Sequence, residues 1–129
     1  MKATESRAIA IAREHCEAWS HHDYETARKS LSENVTVTAT STFPGAPKTD
    51  LKGADAYMVG LKAFADTVKP GSLIVNHAVG DDRNALLMVT VKTEGAPFGP
   101  TTLPGARLYA IGDDGRINAE QVIFYMVPE

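Results

Sequence analysis

Asn34-Val35-Thr36-Val37-Thr38-Ala39-Thr40 is where the chain changes period. Its β-branched residues alternate, which is the pattern of a strand and not of a helix. Upstream the spacing is helical. From about Thr4 to Ser20, Ile9, Ala12, Cys16 and Trp19 step by three and four. Ala8, Ile11, His15 and Trp19 form a second, overlapping stripe, so His15 lies at the border of an apolar face. His21-His22-Asp23 interrupts the pattern, and Asp23 is placed to cap a short second helix, Tyr24 to about Leu31. Downstream, Phe43-Pro44-Gly45-Ala46-Pro47 reads as a loop, because two prolines and a glycine prevent regular pairing. A third helix runs from about Ala54 to Val68, with Tyr57, Leu61, Phe64 and Val68 on its apolar face and Pro70-Gly71 at its end. Tyr57 either lines a cavity or packs in the helix–sheet core, with the core the favoured reading, and Gly60 reads as a point of close packing.

Everything after Gly71 reads as sheet. Leu73–Val79 and Ala85–Thr93 are strands joined by Gly80-Asp81-Asp82-Arg83-Asn84. Gly95-Ala96-Pro97-Phe98-Gly99-Pro100 is an irregular loop, and Thr102–Ile111 and Arg116–Val127 are the last two strands, turning at Gly112-Asp113-Asp114-Gly115. Helices cluster early and strands late, which is an α+β order with antiparallel pairing. The expected architecture is one domain over residues 1–129. Three N-terminal helices pack on a strongly curved, mostly antiparallel sheet, forming a cone with an internal pocket.

The composition narrows the partners. Hydrophobic residues make up 43% of 129, and the formal net charge is −3 with no basic run, against a dedicated nucleic-acid binder. One cysteine, Cys16, excludes an intrachain disulfide and a cysteine-rich zinc site. Met1-Lys2-Ala3-Thr4-Glu5 is a polar opening and not a signal peptide. No apolar run approaches the roughly 20 residues of a membrane helix. A cytoplasmic protein is expected, with no membrane partner.

Two polar residues stand out in the last hairpin. A turn at Asp113-Asp114 sets Arg107 directly opposite Glu120. A turn centred on Asp114-Gly115 sets Tyr109 opposite Glu120 and leaves Arg107 diagonal to it. Both registers keep Arg107 and Glu120 on one face. From the residues alone that face is either a solvated outer surface or the wall of a pocket.

Three segments carry a family resemblance: Ala18-Trp19-Ser20-His21-His22-Asp23-Tyr24, Leu31-Ser32-Glu33-Asn34-Val35-Thr36-Val37, and Asp113-Asp114-Gly115-Arg116-Ile117-Asn118-Ala119-Glu120-Gln121-Val122. In this order and spacing the chain resembles the NTF2-like superfamily of cystatin-like α+β cones, and most closely its SnoaL-like branch. The resemblance implies a pocket for a small hydrophobic molecule of polycyclic or polyketide-like kind, and a homodimer. Arg107 and Glu120 would point into the cone. Glu120 would act as acid or base, Arg107 would hold its charge or a developing negative charge, and His15 would assist. Trp19, Phe64, His77, Tyr109, Val122 and Phe124 are the expected substrate-binding residues. No organic cofactor is implied.

The same resemblance argues against two known chemistries. The general base of ketosteroid isomerases falls at Ala39, and their protonated carboxyl donor at Arg107. The Asp-Arg-Asp relay of epoxide hydrolases is incomplete, since Tyr109 stands where a carboxylate would be. The alternative to an enzyme is a non-catalytic ligand-binding or dimeric interaction domain. No metal site is expected. His21, His22 and Asp23 are adjacent in a turn and do not converge, and Asp81-Asp82 and Asp113-Asp114 are turn residues.

Overall fold

A computed structural model describes residues 5–41, 49–94 and 99–124. Helix α1 spans Arg7–Ser20 and starts where the Ser6 hydroxyl accepts a hydrogen bond from the Ile9 N–H. Its buried face holds Ala8, Ile9, Ala12, His15, Cys16 and Trp19, so both overlapping stripes turn inward. Asp23 caps α2, Tyr24–Lys29, by accepting from the Thr26 N–H at 3.2 Å. Helix α3, Ala54–Ala65, is shorter than the expected 54–68, because Val68 leaves the helix to bridge Thr93 on the sheet. A Cβ on Gly60 would come within 2.8 Å of Leu51 Cδ1, so the glycine does allow α3 to pack closely.

Six strands follow the order β2-β1-β6-β5-β4-β3 in one curved, open sheet. They are β1 (Leu31–Ser41), β2 (Thr49–Lys52), β3 (Ile74–Gly80), β4 (Asn84–Thr93), β5 (Thr101–Ile111) and β6 (Ile117–Phe124). Strand β2 was not expected. It is a short edge strand, antiparallel to β1, with Val37 opposite Leu51. The one parallel pairing joins β1 to β6 and brings Ala39 beside Val122. The loop expected at 43–47, much of that at 95–100, and the end of the last strand lie outside the described residues.

The fold is therefore α+β, as the element order implies. Helix α1 lies across β4, and α3 lies against β1. Their apolar faces meet the inner sheet face, where Leu87, Val89, Val91, Leu103 and Ile111 are buried. Burying such side chains contributes about 1.5–3 kcal/mol each. None of the described helices is long and apolar enough to cross a membrane.

The β5–β6 register settles the two alternatives for the last hairpin. Tyr109 pairs with Glu120 and Arg107 with Val122, the register expected of a turn centred on Asp114-Gly115. The chain itself turns at Asp113-Asp114, and the offset arises at Gly115 and at the irregularity between Ala110 and Ile111. Gly115 takes φ +79°, which favours glycine, and its N–H reaches the Gly112 carbonyl at 3.0 Å. Residues 107, 109, 120 and 122 all face inward and are buried.

Candidate functional site

Helix α3 and the inner faces of β1, β2, β5 and β6 enclose a cavity of about 250 Å³. Its walls are mostly apolar: Val37, Ala39, Leu51, Leu61, Phe64, Val122 and Phe124 among them. Besides the exposed Thr49 of β2, three buried polar side chains break that wall, namely Tyr57 from α3, Arg107 from β5 and Glu120 from β6.

The three converge on one carboxylate. Arg107 Nη1 donates to Glu120 Oε2 at 3.2 Å, with the two side chains only 4% and 2% exposed. The Tyr57 hydroxyl donates to Glu120 Oε1. Each oxygen of Glu120 therefore has a donor, which satisfies a buried charge that would otherwise be costly. Burial disfavours the charge on Arg107, but Tyr109 and Glu120 outweigh it and hold the pKa above its ordinary value. Arg107 is thus a permanent cation. Burial first, and then the Glu120 charge, raise the Tyr57 pKa well above 10, so the phenol keeps its proton and serves as a donor.

Aromatic rings hold the cation in place. The Arg107 guanidinium lies 4.7 Å from the Trp19 ring centroid, 5.5 Å from Phe64 and 5.9 Å from Phe124. Its Nε has no hydrogen-bond partner among the described residues. A buried donor left in that state costs about 1–3 kcal/mol.

The sequence-derived candidates divide into layers. Arg107, Glu120, Phe64, Val122 and Phe124 line the cavity. His15 does not. It is buried one layer behind, where Nε2 meets the Tyr57 hydroxyl at 3.1 Å and Nδ1 meets Ser30 Oγ at 2.7 Å and the Ala27 carbonyl at 3.1 Å. Burial lowers its pKa from 6.5 to about 4, so the ring is neutral near pH 7.

Trp19 and Tyr109 also fall behind the wall and not on it. Trp19 is fully buried under Arg107, and the Tyr109 hydroxyl turns to Cys16 Sγ at 3.1 Å. His77 is misplaced by the strand alternation. A bulge in β3 between Val75 and His77 adds a residue, so Val75 faces the core while His77 turns outward and is exposed. Tyr57 was assigned to the core, yet its hydroxyl is part of the polar cluster. Its apolar ring position on α3 carried no sign of that partner. Among the described residues, no three His, Cys, Asp or Glu side chains are grouped to hold a metal ion.

This is a cystatin-like α+β fold with a Tyr–Glu–Arg cluster on the wall of an apolar cavity. Residues 12–120 match the SnoaL-like domain family, and the chain belongs to that family, within the NTF2-like superfamily. Among solved structures, a protein from Kribbella flavida DSM 17836 is similar at 27% identity and TM-score 0.76, over 93% of this chain and 88% of that one. An NTF2-like protein from Cytophaga hutchinsonii ATCC 33406 is similar at 20% identity and TM-score 0.69, over 96% and 94% of the chains. An epoxide hydrolase from M. tuberculosis shares the fold at 15% identity and TM-score 0.69, over 92% and 82%. No curated protein sequence matches the chain.

Proposed function

We propose that this protein is a SnoaL-like enzyme that performs acid–base chemistry on a small hydrophobic molecule in the cavity, with Glu120 moving the proton. The observation that carries this reading is Glu120 itself. It is a buried carboxylate on an apolar wall, held at both oxygens by Tyr57 and Arg107. A carboxylate so placed keeps lone pairs for a substrate proton. Arg107 lines the same cavity and keeps a permanent positive charge beside it, suited to a substrate oxygen that gains negative charge as the proton leaves. The reaction class is proton abstraction next to a carbonyl, as in an isomerisation or a ring closure. The cavity of about 250 Å³ lies below the roughly 300–1,000 Å³ of drug-sized sites, which favours a compact ligand over a polycyclic one.

The test is hydrogen–deuterium exchange next to the carbonyl in a panel of compact apolar ketones and esters in D2O. The wild-type protein is expected to accelerate exchange in at least one member. Glu120→Gln should reduce that rate by roughly 10²–10⁴-fold while the compound still binds. Equal exchange by the variant removes Glu120 from the chemistry. Binding without exchange across the panel supports a non-catalytic pocket.

A self-association surface is part of the proposal. Two cross-strand rows on the outer face are apolar, Val79–Leu86–Leu108 and Met88–Ala106–Ile123. Val79, Leu108 and Ile123 are 61%, 41% and 44% exposed, and a second copy of this face would cover them. Light scattering should give twice the chain mass of 13.8 kDa, and Leu108→Lys should return it to one. A monomer in the wild type refutes the dimer.

A further inference from the structure

We infer that Ser30, His15 and Tyr57 form a proton relay that joins Glu120 to the protein surface behind the cavity wall. The inference rests on the reading that Glu120 exchanges a proton with a ligand. It begins from one hydrogen. The Tyr57 hydroxyl has a single proton but lies between two groups able to accept it, Glu120 Oε1 and His15 Nε2. While Glu120 is ionised, that proton goes to the carboxylate. His15 must then donate from Nε2 to the Tyr57 oxygen, and its Nδ1 becomes an acceptor. Ser30 Oγ, 2.7 Å away, can supply the hydrogen that Nδ1 needs.

The opposite order is the more complete, since in the first the Ala27 carbonyl, 3.1 Å from Nδ1, receives no hydrogen from the ring or from Ser30. When Glu120 is protonated it donates to the Tyr57 oxygen, and Tyr57 donates to His15 Nε2. Nδ1 then carries the hydrogen and faces Ser30 Oγ and the Ala27 carbonyl, while Ser30 donates to that carbonyl at 2.7 Å. Both tautomers of His15 therefore have built partners. A histidine that only filled space would need one.

The two orders differ by one proton. A water or buffer acid at Ser30 gives a proton to Oγ, and the Oγ hydrogen passes to Nδ1. The Nε2 hydrogen passes to the Tyr57 oxygen, and the phenolic hydrogen passes to Glu120. Each group gains one hydrogen and loses one, except Glu120, which gains one. The reverse shift discharges Glu120 to solvent. Neutrality of the ring is what permits this, and burial keeps it neutral against the attraction of Glu120, with Arg107 adding to the effect. Ser30 is only half-buried at the end of α2, whereas Glu120 is 3% exposed and a bound ligand would cover it from the cavity. The relay lets Glu120 reset without water passing the ligand.

The test reads the His15 tautomer from its ring-nitrogen chemical shifts by NMR at pH 7, with no ligand present. The wild-type protein should show hydrogen on Nε2. In Glu120→Gln the amide oxygen must face the Arg107 donor, so the NH2 group faces Tyr57 and donates to it. Tyr57 then donates to Nε2, and His15 should switch to hydrogen on Nδ1. In Tyr57→Phe the same Glu120→Gln change should leave the tautomer unmoved. Hydrogen on Nδ1 in the wild-type protein overturns the relay, a reading that needs no variant to fold. So does the same tautomer in wild type and Glu120→Gln, or a switch that survives in Tyr57→Phe. None of these outcomes depends on turnover, so the relay and the enzymatic reading fail separately.

Discussion

Replacing Arg107 with methionine is expected to cost about 3–5 kcal/mol of folding stability. The reason is the group left behind. Glu120 is 2% exposed at its side chain and loses its only cationic partner among the described residues, keeping the Tyr57 hydroxyl alone. The guanidinium also leaves the face of Trp19, 4.7 Å away, and gives up a cation–π contact. Urea unfolding should show a lower midpoint with an unchanged slope. The double variant Arg107→Met/Glu120→Leu should recover most of the loss, because an apolar pair of similar volume has no buried charge to solvate. Tyr57 would then give its proton to His15 Nε2, 3.1 Å away. A single variant that loses less than about 1 kcal/mol would mean that water reaches the pair, as at an exposed ion pair.

That contrast bears on what the cluster is for. If leucine and methionine replace the ion pair with little loss, it is not there to hold the sheet to α3. The cavity wall keeps a charged pair and a phenol with two acceptors, each of which costs stability unless a ligand or a relay uses it. The polar arrangement is concentrated on the cavity side of the molecule, while the neighbouring inner positions of β4 and β5 are Leu87, Val89, Val91 and Leu103. Local departure from the simplest stable packing, centred on one wall, is the pattern expected of a functional site.

What the sequence revealed of this site depended on how far each signal reaches along the chain. Arg107 and Glu120 were legible as neighbours on one face because a hairpin register error of two residues preserves the face. His77 failed on the same logic, since a bulge adds one residue and reverses every side chain beyond it. Strand β2 has no apolar alternation of its own, and Thr49–Lys52 becomes a strand only by pairing with β1. Tyr57 does pack in the core, but the partner of its hydroxyl was not legible. Its partner Glu120 lies 63 residues away, and the parallel β1–β6 pairing that brings them together leaves no local trace in either segment. His15 was placed at the right border of α1, but the residues between it and the cavity come from α3.

Acid should destabilise the protein through His15. Burial lowers the His15 pKa from 6.5 in an unfolded chain to about 4 in the folded one. Between those values the unfolded state binds a proton that the folded state does not, so stability rises with pH across that window. The contribution is fully present above about pH 6.5 and is lost as the pH falls toward 4, where it levels off. Its size is about 3 kcal/mol. The driving cost is desolvation of an imidazolium enclosed by Tyr57, Tyr109, Ser30 and the Ala27 carbonyl, with the Arg107 cation adding to it and Glu120 opposing it. Urea midpoints measured from pH 7.5 to 4.5 should fall steadily in the wild-type protein and much less in His15→Gln, which cannot titrate there. Parallel slopes for the two proteins would show that folding leaves the His15 pKa unshifted, and burial would then not be what keeps the ring neutral as the pH falls.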